Sequence, residues 1–324
     1  MACNWGILGP GFVATRAVMP AMQQIPDAHL LAVASRSAER AKLTAARFGI
    51  ERAYDDYQSL LKDPDVEAVY IALPNHLHGI WTMRAAEAGK HVLCEKPLAS
   101  NAAECDEMIA SCRRAKVLLM EAVMYRFHPR MVRLKQMVST GELGEIRLLR
   151  SAFCFPFDFG RRDDFRVHAE LGGGAVLDVG SYCVNAARWL VGGEPRRVRA
   201  EVVYGEGGID VSAGAILRFE RDVLADVRCS FVAAEEQVIE VVGSVGGVRA
   251  ERAFTAWRGE RTELVVRRGG VCERVEFAPA DPYEAMVAHF TDCVLGRARL
   301  RYAAEDGRAT LWVLDNLRLV GRRS

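Results

Sequence analysis

The constraint that narrows this chain most lies at its start. A short apolar run, Asn4–Gly9 (NWGILG), meets the turn Gly9-Pro10-Gly11-Phe12-Val13-Ala14, and Phe12–Ile25 continues with apolar residues at Ala14, Val18, Ala21, Met22 and Ile25. That spacing is helical, so the turn joins a strand directly to a helix. G-x-G-x-x-A in that setting is the phosphate-binding turn of dinucleotide folds. The first glycine makes the tight turn, the second lets the backbone approach a diphosphate, and a small third residue lets helix and strand pack closely. The helix amino terminus adds N–H donors and partial positive charge. Gly9, Gly11, Phe12 and Val13 are therefore expected to contact a dinucleotide.

Strand and helix then alternate. His29–Ala34 reads as a second buried strand, and Ser37 is a good N-cap for a helix over Ala38–Phe48. Glu67–Leu73 is a strand leading through Pro74 to a helix that carries Leu77, Ile80, Trp81, Ala85 and Ala88. Lys90–Cys94 and Val117–Ala122 are further strands, separated by a helix from Asn101 to Ala115. Strands apolar on both faces, separated by amphipathic helices, imply a doubly wound parallel sheet of Rossmann type. After residue 122 the strands lengthen and alternate with period two. Val198, Ala200, Val202 and Tyr204 oppose Arg197, Arg199 and Glu201, and Val223, Ala225, Val227, Cys229 and Phe231 alternate with more polar neighbours. With turns at Gly207-Gly208 and Gly269-Gly270, this predicts an α+β domain with a large, mostly antiparallel open sheet. A helix near Gly174–Val191 covers the sheet, and helices over Pro282–Leu295 and Ala303–Val320 close the chain. The predicted domains are residues 1–122 and 123–324.

Composition limits the rest. A chain of 324 residues, half of them hydrophobic, suits two globular domains and excludes wholesale disorder. The net charge of +1 leaves no electrostatic footprint for nucleic acid or an anionic membrane. No apolar run approaches the ~18 residues of a spanning helix, and no secretory signal precedes the first strand, so a cytoplasmic location is expected. The nine cysteines form no Cys-x-x-Cys pair and are expected reduced and mostly buried, Cys105 and Cys112 sharing a core-facing stripe. His76 and His78 make an H-x-H with no third ligand at sensible spacing, so no metal is expected.

The second strand bears on which nicotinamide cofactor binds. It ends Ala34-Ser35-Arg36-Ser37, with Arg40 a turn further on. An NAD site places a carboxylate there for the ribose 2′-hydroxyl. Here none stands to repel a 2′-phosphate, and Arg36 offers a planar donor fork. NADP is expected over NAD, with Ser35, Arg36 and Arg40 at the phosphate; an Arg36 that merely caps the sheet edge is the alternative.

Cys94-Glu95-Lys96-Pro97 closes a strand at the carboxyl edge of the sheet, after Pro74-Asn75-His76-Leu77-His78. Glu121–Pro129 reads EAVMYRFHP, Phe165-Arg166 precedes Gly172-Gly173-Gly174, Asp178-Val179-Gly180-Ser181-Tyr182 follows, and Tyr283 opens the penultimate helix. In this order and over essentially the whole chain, the sequence resembles the Gfo/Idh/MocA family of nicotinamide-dependent oxidoreductases. The resemblance implies hydride transfer between NAD(P) and a secondary alcohol or ketone, usually on a sugar, cyclitol or related ring, and an open sheet that often forms a homodimer or homotetramer interface. It implies that Lys96 lies by the nicotinamide, and that Leu73, Pro74, Asn75, His78, Glu95, Arg166 and Tyr283 lie near cofactor or substrate. Many members carry Asp-x-Gly-x-His-x-x-Asp; here Tyr182 and Asn185 replace the His and the last Asp. The tyrosine form looks like the branch of dimeric dihydrodiol dehydrogenase, glucose–fructose oxidoreductase and pyranose dehydrogenases.

The chemistry agrees. Moving a hydride from a carbinol carbon requires removal of the hydroxyl proton, and a phenol of pKa ~10 is a poor base at neutral pH. Lowering it by ~3 units takes ~4 kcal/mol, which one ammonium at ~4 Å supplies at an effective dielectric of ~20. Tyr182 is the expected acid/base and Lys96 its activator. Asp178, four residues before Tyr182, is expected on the same helix face, orienting the lysine or binding a substrate hydroxyl. Glu95 reaches the cofactor ribose or caps the strand end. Arg166 and Tyr283 are equally readable as structural hydrogen-bonders. Phe153, Phe155, Phe157 and Phe159 alternate as core or dimer contacts, and Arg161-Arg162-Asp163-Asp164 reads as a solvated loop. The rivals are a non-catalytic dinucleotide-binding regulator and a glycosidase that regenerates a tightly held nicotinamide.

Overall fold

The structure, a computed structural model, describes residues 2–321. The chain forms two compact units. One is built from the chain up to Met124 plus Tyr283–Arg308, the other from Tyr125–Pro282 plus the chain from Ala309 onward.

The first unit holds strands β1 (Cys3–Leu8), β2 (Ala28–Ala34), β3 (Arg52–Tyr54), β4 (Ala68–Ile71), β5 (His91–Cys94) and β6 (Leu119–Glu121). They lie in the order β3-β2-β1-β4-β5-β6 and every pairing is parallel. Every residue of β4 is buried, as a strand covered on both faces must be. Helices α1 (Met19–Met22), α2 (Ala38–Phe48), α3 (Tyr57–Leu61), α4 (His78–Glu87) and α5 (Ala102–Ala115) connect the strands. Ser37 caps α2, accepting from the Arg40 amide at 3.2 Å, and Asn101 caps α5 through the Glu104 amide at 2.9 Å. The first helix is shorter than its apolar spacing suggests. It starts at Phe12 as its spacing predicts, passes through a π-turn over Ala14–Val18 and ends at Met22, because Ile25 precedes Pro26 and that position disfavours helix. Strand β3 is three residues long, too short to show a period, and is held by Arg52 and Tyr54 bonding Asp63 at 2.7 and 2.8 Å.

The second unit holds β7 (Ile146–Cys154), β8 (Arg197–Tyr204), β9 (Asp210–Arg218), β10 (Leu224–Ser230), β11 (Glu236–Gly243), β12 (Gly246–Glu251), β13 (Thr262–Arg268) and β14 (Val271–Phe277). The order is β14-β13-β12-β11-β7-β10-β9-β8, and only β7 and β10 run parallel. Helix α6 (Pro129–Ser139) precedes the sheet, and α7 (Ser181–Val191), opened by a π-turn over Val176–Gly180, covers the face that carries Phe153 and Cys229. On the opposite face Leu148, Ile216, Leu224 and Val242 remain exposed among cross-strand ion pairs such as Arg150–Glu236.

Helix α8 (Pro282–Val294) returns the chain to the first unit, where Phe290 lies 5.5 Å from the Trp5 ring and Thr291 accepts from the Trp5 indole at 3.2 Å; α9 (Ala304–Gly321) ends the described chain. Eight of the nine cysteines are buried and free, and Cys272 on β14 is exposed. No described helix is long and apolar enough to cross a membrane.

Candidate functional site

In the first unit the strand order reverses between β1 and β4, so the carboxyl ends of these two strands frame the crevice where such sheets bind ligands. The glycine turn sits there. Gly9 has φ +88°, and a Cβ on it would lie 2.6 Å from Leu73 Cδ2 and 3.0 Å from the Ala72 carbonyl. A Cβ on Gly11 would lie 3.3 Å from the same carbonyl. Only glycine fits at Gly9, and the turn therefore offers main chain rather than side chains, with the first-turn N–H groups of the following helix beside it. Val13 is half-buried in that turn and Phe12 is 71% exposed, its ring facing Arg16 at 6.0 Å.

Ser35 is buried at the end of β2 and its hydroxyl accepts from the Ser37 amide at 3.3 Å, while Arg36 and Arg40 are exposed. Arg40 reaches back to donate to the Pro10 carbonyl inside the glycine turn at 2.8 Å. Burial pushes the Tyr57 phenol up, and the positive charges of Arg36 and then Arg40 oppose that shift. The donor set around the turn fits a dinucleotide bearing a 2′-phosphate: bare backbone for the diphosphate, two guanidinium groups and no carboxylate at the strand end.

Leu73 and Asn75 are buried beyond β4, and Pro74 lies between them. His78, placed near cofactor by the resemblance, is wholly buried, with Nδ1 2.8 Å from the Pro97 carbonyl and Nε2 2.8 Å from the Leu73 carbonyl. Both ring nitrogens face main-chain carbonyls, and the single N–H of the neutral ring donates to one of them, so the ring bridges the β4 exit and the Lys96-Pro97 segment. Burial, opposed by both carbonyls, pushes its pKa down to about 4.

Glu95 accepts from the Tyr70 hydroxyl and, at 3.2 Å, from the Lys96 amide, so its carboxylate caps the strand end. Lys96 stands half-exposed at the crest of a turn whose next three residues are buried, and its bond to Pro97 is cis. Tyr283, at the start of α8, is buried, and its phenol adds to the effects that push Tyr70 well above the ordinary tyrosine range, after burial and Glu95.

In the second unit Tyr182 is buried in an aromatic nest, its ring 5.5 Å from Phe153, 5.4 Å from Phe254 and 6.0 Å from Tyr125. Asn185, at the position of the family's last Asp, accepts from the Tyr125 hydroxyl at 2.7 Å. Asp178 does not stand one regular α-turn before Tyr182, because Val176–Gly180 form a π-turn. Its carboxylate instead accepts from Arg166 Nε at 2.7 Å, and Asp164 accepts from Arg166 Nη1 at 3.2 Å. Together they hold the Arg166 guanidinium firmly charged. Asp164 is thus no solvated loop residue: its side chain is 7% exposed. Asp210 on β9 is a further residue the sequence reading missed. Its carboxylate accepts from the Val176 amide at 2.7 Å and starts the segment that carries Asp178 and Tyr182.

Residues 3–123 match the family described as oxidoreductase family, NAD-binding Rossmann fold, and residues 131–249 match the GFO/IDH/MocA C-terminal domain. The chain is similar to D-xylose 1-dehydrogenase (NADP(+)) 2 of Haloferax volcanii, 36% identical across 96% of this chain and 95% of that protein. It is similar to trans-1,2-dihydrobenzene-1,2-diol dehydrogenase of Mus musculus, 34% identical across 86% of this chain and 81% of that one. Among solved structures it resembles the 3-ketoreductase KijD10 of Actinomadura kijaniata in complex with NADP and TDP-benzene, with a TM-score of 0.92 at 31% identity over 98% of both chains.

Proposed function

The chain belongs to the GFO/IDH/MocA family of oxidoreductases, and from that premise we propose that it interconverts a secondary alcohol and a ketone on a sugar, deoxysugar or related cyclic polyol, with NADP(H) as redox partner. The observation that carries this reading is the joining, in one unit, of a side-chain-free glycine turn with Arg36 and Arg40 at the end of β2. The names of the xylose dehydrogenase and the NADP-bound ketoreductase support it. In this reading residues 1–122 bind the cofactor, and residues 123–324 bind the substrate and self-associate as a homodimer or homotetramer. The exposed Leu148, Ile216, Leu224 and Val242 on the uncovered sheet face support the self-association.

A bound nicotinamide supplies or accepts the hydride. The chain's own work concerns protons and orientation. Tyr182 takes the hydroxyl proton of the alcohol in oxidation and returns it to the carbonyl oxygen in reduction. Lys96 favours the phenolate by its positive charge and polarises the carbonyl in the reverse direction. Asp178 serves this chemistry by fixing Arg166, whose guanidinium then offers oriented donors to a polar group of substrate or cofactor. His78 positions, and does not touch, the bound molecules.

The test is a screen of aldoses, deoxysugars, ketosugars and aromatic trans-dihydrodiols with both cofactors, following the reduced-nicotinamide absorbance. Net cofactor conversion, faster with the phosphorylated cofactor, is expected. Release of an aryl glycoside's phenol without net conversion would give the activity to a hydrolase instead, and dinucleotide binding without turnover of any kind would leave a regulator.

A further inference from the structure

The run EAVMYRF begins with a carboxylate that the chemistry above does not use. Glu121 is the last residue of β6, paired in register with Cys94 of β5, and is 8% exposed. Its Oε1 accepts from the Leu98 amide at 2.9 Å, while the Cys94 thiol faces the Leu98 carbonyl at 3.8 Å. The turn that lifts Lys96 is thereby closed onto the two strands beneath it. Its far side is tied by His78 at the Pro97 carbonyl, and the Ser100 amide donates to Glu104 at 2.7 Å. Room for the Glu121 carboxylate depends on α9. A Cβ on Gly307 would lie 2.9 Å from its Oε2 and 3.1 Å from Leu98 Cδ2. A carboxylate kept nearly dry at a strand end is costly unless its acceptor capacity is used. Here it is used on main chain two residues past Lys96.

We propose that Glu121 is a positioning residue for Lys96, fixing the Leu98 amide so that the ammonium is presented from a rigid crest. The proposal rests, for its catalytic consequence, on the role of Lys96 given above, but the anchoring itself is testable without turnover. In the cofactor-free protein, Glu121→Ala is expected to speed hydrogen exchange at the Leu98 amide by about tenfold or more, with the β5 amides of Val92 and Leu93 unchanged. Glu121→Gln, which keeps an acceptor oxygen, is expected to restore protection. In turnover of the best substrate from the screen, Glu121→Ala is expected to lower kcat by about tenfold with KM changed less than about threefold, yet to slow a Lys96→Met protein no further. Unchanged exchange at Leu98, a glutamine variant as impaired as alanine, or an undiminished effect in the Lys96→Met background would each overturn the proposal. Should the alanine variant not fold, Gly307→Ala, whose new methyl displaces the carboxylate, carries the same comparisons. A Lys96→Met protein as fast as wild type refutes the catalytic reading alone, because the exchange result stands apart from it.

Discussion

Asp178 accepts a 2.7 Å hydrogen bond from Nε of Arg166, twelve residues earlier in the chain. That bond decides what Asp178 does. A carboxylate 6% exposed and engaged by a guanidinium is committed to holding that group in place. In the proposed function the proton is accordingly assigned to the phenol that follows it on the helix.

Removing the charge should therefore hurt the fold before it hurts any proton step. Asp178→Asn is expected to lower stability by about 1–3 kcal/mol, as a half-buried guanidinium loses the nearer of its two charged partners. Asp164→Asn, whose bonds to Arg166 Nη1 are longer at 3.2 and 3.3 Å, should cost less. Urea unfolding of the two variants side by side checks the order, and an equal or reversed ranking contradicts it.

Tyr182→Phe removes one oxygen from an aromatic nest and leaves the ring contacts in place. Turnover is expected to fall by about 100-fold or more, with NADPH affinity by fluorescence titration little changed. A variant working at the wild-type rate moves the acid/base to another residue.

Arg36→Ala is expected to weaken NADPH binding by about tenfold or more and to leave NADH binding nearly untouched, since a charge-assisted contact is lost to only one of them. Arg40→Ala should weaken both, because its guanidinium also braces the glycine turn at Pro10. Unaltered discrimination in the Arg36 variant removes the argument for NADP.

Acid should loosen the first unit through His78. Burial holds the ring at about 4, below the ~6.5 of an unfolded histidine, so folding favours the neutral form. The stability it contributes, about 3 kcal/mol, is complete above ~6.5 and is lost as pH falls through 4. His128 in the second unit, pushed to about 4 by burial and then by Arg130, adds to the same window there. Denaturant midpoints between these pH values are expected to fall for wild type and to fall less for His78→Gln; parallel declines would exclude the ring as a cause.

Much of this was readable beforehand because it is local. The strand Arg197–Tyr204, the Ser37 cap and the glycine turn each write their geometry within a few neighbouring residues. What escaped depends on partners far along the chain. The π-turn before Tyr182 goes with an Asp210 carboxylate that arrives from β9, thirty-four residues later, and no period in the local sequence announces it. His78 looks like a polar residue opening a helix, yet its second carbonyl comes from Pro97, nineteen residues on. Asp164 sits in a charged run, where only the folded position of Arg166 separates a ligand from a solvated side chain.

The burial of eight cysteines against one exposed on β14 gives the experimenter a reporter at no cost to the sequence. A maleimide dye added to the native protein should attach at Cys272 alone, and its register opposite Arg267 puts it on the uncovered side of the sheet. Emission from that single label, followed on dilution, would read out whether copies of the chain meet there, without a tag or an engineered thiol.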